Sequence, residues 1–447
     1  MIAKSIKVKH IICSKRIDGK FYLNNDALLS LTLEDNDDKC LQLSEYAIAF
    51  NPPVFKRQFC QNTEKAVQYF QSSDVPAATE RSEVFINKKQ AQKVNVIVKE
   101  NQILITGFGT IGNVRLVSKL QHGVAYANNT CRIEVKENNF YGFIYAFLAS
   151  KYGKAQMNKN ASGSVVRYIE AHGIKKTFVP IFTPEKQKQI HDLIIDSTEL
   201  RVKANLRFEE AIGLFDSKFS VINNNNHIVS NINIKAIINR LDATNVIVSN
   251  EISEVYQNSN INSFILVSEV AKDIFIGPRS KRNYTKQGCP FLSGSELQKS
   301  NPTKVDKYLN LKDSKPFIVN ENCILITRSG TIGNVSIIFQ CLNGYAATDD
   351  AIRIVLKEGA KISHQYLFAF LNSKIGKKTI LSGAFGSVIQ HINEDFIGNL
   401  LVPIITENEV KIVNECIKEY MSFINTAILK ENQAIQLVEK EIEQWQN

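Results

Sequence analysis

The chain has 447 residues, 44% of them hydrophobic and 22% charged, with a net charge of +10 and a pI near 9.0. These proportions exclude wholesale disorder, and the length is enough for two or three domains with cores of their own. The basic excess points to an acidic partner, nucleic acid first, and residues 406–447 hold eight Glu against four Lys, so the rest is more basic than the total. Eight scattered cysteines without a Cys-x-x-Cys pair argue against a zinc ribbon or a disulfide framework and fit a reducing cytosol. Residues 1–20 lack a signal-peptide core, and no apolar run approaches the ~18 residues of a membrane span, so a cytoplasmic chain with no membrane partner is expected.

In chain order, the first marked segment is Asn51-Pro52-Pro53-Val54, leading to Lys56-Arg57. It resembles the Asn-Pro-Pro-aromatic motif of DNA amino-methyltransferases, whose ring stacks on a flipped base. Val54 has no ring, so the segment reads as a proline-bounded loop before two basic residues. Ser72-Ser73-Asp74-Val75 follows, and then Ile103-Leu104-Ile105-Thr106-Gly107-Phe108-Gly109-Thr110-Ile111-Gly112-Asn113-Val114, a strand, a tight turn and a second strand. Arg132-Ile133 lies in another β-branched run. Residues 143–151 carry apolar side chains at helical spacing. Gly163-Ser164-Val165-Val166 precedes Arg167-Tyr168, and Val179-Pro180 leads into a long helix over about 184–219 with Pro at its first turn. Its apolar positions include Ile190, Leu193, Ile194, Phe208, Ile212, Phe215 and Phe219. An Asn/Ser-rich connector with Asn223-Asn224-Asn225-Asn226 comes next, and a short helix is expected within 232–262.

The series then recurs. Pro278-Arg279-Ser280-Lys281-Arg282 answers the first basic loop, and Gly294-Ser295-Glu296-Leu297 answers Ser72 to Val75. Ile324-Leu325-Ile326-Thr327-Arg328-Ser329-Gly330-Thr331-Ile332-Gly333-Asn334-Val335 repeats the strand–turn–strand block. Arg353-Ile354, a helix over 365–374, Gly386-Ser387-Val388-Ile389 before Gln390-His391, and Val402-Pro403 complete the second copy. The offset drifts between 221 and 225 residues, and the repeat covers roughly 43–183 and 267–406. A second long helix, from about 406 to the C-terminus, places Ile417, Met421, Ile424, Ile428, Ile435, Val438, Ile442 and Trp445 on one stripe, broken at Glu431. Sustained heptads on two helices of one chain predict that they pair as a coiled coil; ordinary amphipathic packing of each on its own domain is the alternative.

The repeat also tests candidate chemistry. Gly107-Phe108-Gly109-Thr110-Ile111-Gly112 matches a dinucleotide loop, but the second copy has Arg328 at the first glycine. A strand follows instead of a helix, and no acidic residue stands ~20 positions on. The seven histidines lack partners at metal spacing, and only His172 and His391 fall near corresponding places. No nuclease-type carboxylate cluster recurs.

Two basic α/β units, each closed by a heptad helix, resemble the specificity subunit of a type I restriction–modification system. The elements that carry the resemblance are Pro-x-x-Lys-Arg, Ser-Ser-Asp-Val or Ser-Gly-Ser-Glu-Leu, Ile-Leu-Ile-Thr-x-x-Gly-Thr-Ile-Gly-Asn, Gly-Ser-Val and Val-Pro-Ile, in that order and twice. The first unit departs from the commoner family form in having Arg167-Tyr168 where the second has Gln390-His391. The resemblance implies an α/β (α+β) fold of two similar target-recognition domains, 1–183 and 262–405. Two long helices, 184–219 and 406–447, would separate them and pair antiparallel as a coiled coil, with 220–261 as connector. It also implies a non-catalytic subunit that binds double-stranded DNA and reads a bipartite, asymmetric site. Two methylation subunits would dock on the helices and carry the S-adenosylmethionine, and a restriction/translocase subunit would complete the complex.

The candidate DNA contacts are Lys56, Arg57, Arg279, Lys281 and Arg282 for phosphates or base edges, with solvated loop charge as the alternative. Thr110, Asn113, Thr331 and Asn334 would bind phosphates beside open glycine backbone, or else serve the turn alone. Arg167 and Gln390 would read bases, since Arg suits guanine and Gln suits adenine. A helix of ~35 residues is about 50 Å long, roughly one to one and a half turns of duplex. Two other readings stay open: a stand-alone adenine methyltransferase, and a coiled-coil adaptor with degenerate DNA-binding units.

Overall fold

The Ile-Leu-Ile-Thr runs become central strands, buried along their whole length, because β-branched side chains fill both faces of a covered sheet. The computed structural model describes residues 25–137, 139–163, 167–219, 243–279, 282–386 and 390–446, with residues 8, 11, 12 and 17 before them. The chain divides into two compact units, Met1–Val202 with Thr426–Asn447, and Lys203–Asn425. Each long helix thus contributes one part to each unit.

The strands of the first unit are β1 (Cys40–Gln42), β2 (Ala47–Phe50), β3 (Phe59–Cys60), β4 (Ala66–Phe70), β5 (Phe85–Asn87), β6 (Ile103–Thr106), β7 (Val114–Leu116), β8 (Ala125–Tyr126), β9 (Thr130–Val135) and β10 (Phe178–Pro180). A central antiparallel sheet has the order β2-β9-β6-β7. A second has the order β3-β5-β4-β8 with β4 and β8 parallel, and β1 pairs with β10.

The second unit contains β11 (Phe264–Leu266), β12 (Ala271–Ile276), β13 (Tyr284–Thr285), β14 (Cys289–Leu292), β15 (Tyr308–Leu309), β16 (Ile324–Thr327), β17 (Val335–Ile337), β18 (Ala346–Ala347), β19 (Ala351–Leu356) and β20 (Leu401–Pro403). Their orders are β12-β19-β16-β17, β13-β15-β14-β18 and β11-β20, again with one parallel pair, β14 and β18. Every strand corresponds to the one ten numbers earlier, so the sequence repeat is a repeat of topology.

A buried arginine at the same place in each unit ties its two larger sheets together. Arg132, in β9, donates to the carbonyls of Val96 (3.1 Å), Tyr126 (2.8 Å) and Ala127 (3.1 Å). Arg353, in β19, donates to those of Phe317 (3.3 Å) and Ala347 (2.9 Å). Burial lowers the pKa of Arg132 to about 10, which still leaves it charged at neutral pH.

Among the helices are α1 (Asn25–Glu34), α2 (Tyr141–Ala149), α3 (Lys151–Lys159), α4 (Ala171–Lys175), α5 (Pro184–Asp216), α6 (Ala243–Gln257), α7 (His364–Asn372), α8 (Lys374–Ser382), α9 (Glu394–Gly398) and α10 (Glu407–Glu443). The helices expected over 143–151 and 365–374 are in fact two successive short helices in each unit. Ser150 and Ser373 separate them with extended backbone, and their hydroxyls cap the second helix by accepting from Gly153 (3.2 Å) and Gly376 (3.1 Å). The short helix expected within 232–262 is α6; the Asn-rich run 223–226 lies outside the described residues.

Within the first unit, α5 and α10 run antiparallel. Lys186 pairs with Glu441 (3.8 Å), Asp196 with Lys430 (2.8 Å), and the Ser197 hydroxyl donates to the Ala427 carbonyl (2.8 Å). Within the second they do so again, with Arg207 on Glu419, Phe208 against Tyr420 and Lys218 on Glu409 at 2.7 Å. Ile417, Met421, Ile424, Ile428, Ile435, Val438 and Ile442 are buried. Glu431, the break in the stripe, is only 2% exposed. Its carboxylate accepts from the Arg201 guanidinium (2.6 Å) and the Tyr145 hydroxyl (3.1 Å).

Candidate nucleic-acid interface

The turn between the two central strands is braced from inside. The Thr106 hydroxyl donates to the Thr110 carbonyl (2.6 Å) and accepts the Asn113 N–H (3.0 Å). Thr327 makes the same pair of bonds with Thr331 (2.6 Å) and Asn334 (3.0 Å). Gly109 and Gly112 sit at φ +74° and +82°, Gly330 and Gly333 at +73° and +78°, a region that disfavours any side chain. A Cβ on Gly112 would also meet Met157 at 3.3 Å. The block therefore recurs because this turn has few other spellings. A strand, β7 or β17, follows the turn in each unit, so no helix dipole faces it as a pyrophosphate site requires.

Thr110 and Thr331 are exposed at the apex. The Asn113 side-chain amide donates to the Thr110 carbonyl (3.2 Å), so part of its hydrogen-bonding capacity already serves the turn.

A second segment closes on the turn in each unit. Phe108 bridges to Tyr168, the Gly109 N–H donates to the Arg167 carbonyl (3.3 Å) and the Ile169 N–H to the Gly107 carbonyl (2.8 Å). In the second unit Ser329 bridges to His391 and the Ile392 N–H donates to the Arg328 carbonyl (3.1 Å). Exposed Arg167 and Gln390 are thereby brought beside Thr110 and Thr331, although they are distant in sequence. The Arg167 guanidinium also donates to the Asn158 carbonyl. Residues 164–166 and 387–389 of the Gly-Ser-Val elements lie outside the described residues.

At this tip Phe108 was not singled out in the sequence, and Tyr168 was marked only as a departure of the first unit from the second. Phe108 and Tyr168 stack at 5.5 Å and 15°, yet remain 42% and 36% exposed. The available signal was an aromatic residue between two glycines. The bridges place His391 opposite Tyr168, as the motif order has it, and His172 lies four residues further on, in α4.

The basic loops are more committed. Lys56 and Arg57 are exposed and lead into β3, but the Arg57 Nε donates to the Tyr69 hydroxyl (2.6 Å), and its guanidinium lies 5.6 Å from that ring. Arg279 is exposed after β12. Arg282 is ion-paired with Asp349 and lies 5.3 Å from the Phe291 ring. Lys281 lies outside the described residues.

Three other motif residues hold loops. The Asn51 carboxamide oxygen accepts the Ala171 N–H (2.8 Å). Asp74 and Glu296 accept the N–H groups of Gln71 (2.7 Å) and Ser293 (3.1 Å). Among the described residues no group of three or more His, Cys, Asp or Glu could hold a metal ion, and no helix is long and apolar enough to cross a membrane.

Two basic units of one topology, each ending in a braced tip with variable side chains, define a duplicated recognition module. The model of the type I restriction modification DNA specificity domain matches the chain twice, over residues 42–201 and 272–439, and the chain belongs to that family. The resemblance read from the motifs is borne out. Among solved structures, the S subunit of a type I restriction–modification system from M. genitalium is 12% identical, with 89% of this chain and 95% of that chain covered and a TM-score of 0.38. The HsdS subunit from Thermoanaerobacter tengcongensis is 13% identical, with 90% and 95% covered and a TM-score of 0.28. No curated protein sequence matches the chain.

Proposed function

We propose that this chain gives a type I restriction–modification complex its DNA sequence, each unit reading one half of a bipartite, asymmetric duplex site. The observation that carries the reading is one frame with two sets of tip side chains: Phe108, Arg167 and Tyr168 against Ser329, Gln390 and His391. Contacts to phosphates position a protein, whereas groups at base edges specify sequence, so different tips on one frame suit two different half-sites. Arg167 is assigned to guanine and Gln390 to adenine. Lys56, Arg57, Arg279, Lys281 and Arg282 are assigned to phosphates or base edges, and Thr110, Asn113, Thr331 and Asn334 to the phosphates beside each turn.

The reading domains are taken as 1–183 and 262–405, with 184–219 and 406–447 as spacer helices and 220–261 as connector. Two methylation subunits dock on the helices and bring S-adenosylmethionine, a restriction/translocase subunit joins them, and the assembly works in the cytoplasm. The chain itself carries out no chemistry.

The test is binding of the purified chain to random duplexes with rounds of selection, alongside calorimetry with S-adenosylmethionine. A split preferred sequence, binding that weakens steeply with salt, and no cofactor heat are expected. Cofactor binding with methyl transfer by the chain alone would establish a stand-alone methyltransferase instead. Binding to partner subunits without any preferred DNA sequence would make it an adaptor.

A further inference from the structure

Phe108 and Tyr168 belong to neither core nor brace. Their backbones are bridged to each other, which fixes the rings at the tip, and Gly109 and Arg167 flank them directly. The rings cover one face of each other, at 5.5 Å and 15°, and each stays partly open to solvent. In the second unit the same bridge presents Ser329 and His391, with the ring of Phe385 6.1 Å from the imidazole. The first tip therefore pairs two stacked aromatic rings, whereas the second pairs a hydroxyl with an imidazole and keeps its aromatic, Phe385 at 37% exposed, beside them. The major groove displays a single apolar group, the C5-methyl of thymine; every other feature there is a hydrogen-bond donor or acceptor. The apolar Phe108 ring, held on a basic domain by its bridge and its stacking partner, has one partner of matching chemistry in that groove.

We propose that Phe108 and Tyr168 are the residues with which the first unit recognises a thymine methyl, and that Ser329 and His391 read a hydrogen-bonding base edge at the equivalent place. This rests on the DNA-reading role proposed above. The experiment uses the full chain and a duplex carrying its selected sequence, with each thymine replaced in turn by deoxyuridine, which removes only the methyl. One replacement is expected to weaken binding about fourfold, the equivalent of one buried methylene-sized group. In the double variant Phe108→Ser, Tyr168→His that dependence disappears, while the effects of all other base changes stay as in the parent. Both side chains are partly exposed, so the variant should melt with the parent, and its melting curve is recorded with the binding. Indifference of the parent to every uridine, or an unchanged uridine profile in the variant, overturns the proposal while leaving the DNA-reading role standing. Failure to select any sequence overturns both.

Discussion

At the scale of the residue, Thr106 and Thr327 show what the repeated block is for. Each hydroxyl both donates and accepts across the turn, so Thr106→Val leaves a carbonyl and an N–H without that partner. A loss of about 1–3 kcal/mol is expected in urea unfolding. Thr110→Val, at the exposed apex, should change stability by less than ~0.5 kcal/mol; a large loss there would mean that the apex is structural.

Two half-buried histidines make a prediction about pH. His191 accepts the Gly142 N–H (3.1 Å) and His364 the Leu356 N–H (3.3 Å), and burial lowers the pKa of both. The unfolded chain binds protons more readily than these folded sites, so their contribution is complete above ~6.5 and is lost as pH falls through the lowered folded values. Denaturation midpoints measured from pH 7.5 to 5 should fall, and His191→Gln with His364→Gln should flatten the slope.

At this scale the sequence was legible where backbone conformation leaves few choices, as at Gly109 and Gly112. It marked Tyr168 as a divergence but was silent on its meeting with Phe108, which depends on a bridge between residues 60 positions apart.

At the scale of the element, the heptad stripe announced two pairing helices, and Glu431 announced only that something interrupts them. Its partners, Arg201 and Tyr145, lie 230 and 286 residues away in sequence, beyond any periodicity argument. Removing one member of a buried ion pair strands the other, so Glu431→Leu should cost about 3–5 kcal/mol, whereas adding Arg201→Met should recover most of it. A double variant no more stable than the single in guanidinium unfolding would contradict this account of the layer. The same limit explains the small second sheets. Strands as short as Phe59–Cys60 and Tyr284–Thr285 carry no readable alternation and exist because neighbouring strands hold them. The split of the 143–151 and 365–374 helices was foreshadowed by Ser150 and Ser373, which cap better than they continue a helix.

At the scale of the whole molecule, duplication is the organising fact: one strand order, one braced turn and one long helix, each present twice. The family followed from the order of short motifs because each motif answers a local need, such as a positive-φ turn, a capped loop or a strand start. What the tips recognise does not follow, because the fold sets where those side chains stand and not which residues they are. The basic excess predicts that specific and non-specific binding both weaken with salt, and charge removal at Lys56 or Arg279 should lower the salt slope by about one unit each.

The most direct test is the map of N6-methyladenine in the source genome with and without this chain. The account predicts a split, asymmetric motif that is methylated in the parent and unmethylated on deletion. A methylome unchanged by the deletion would contradict it.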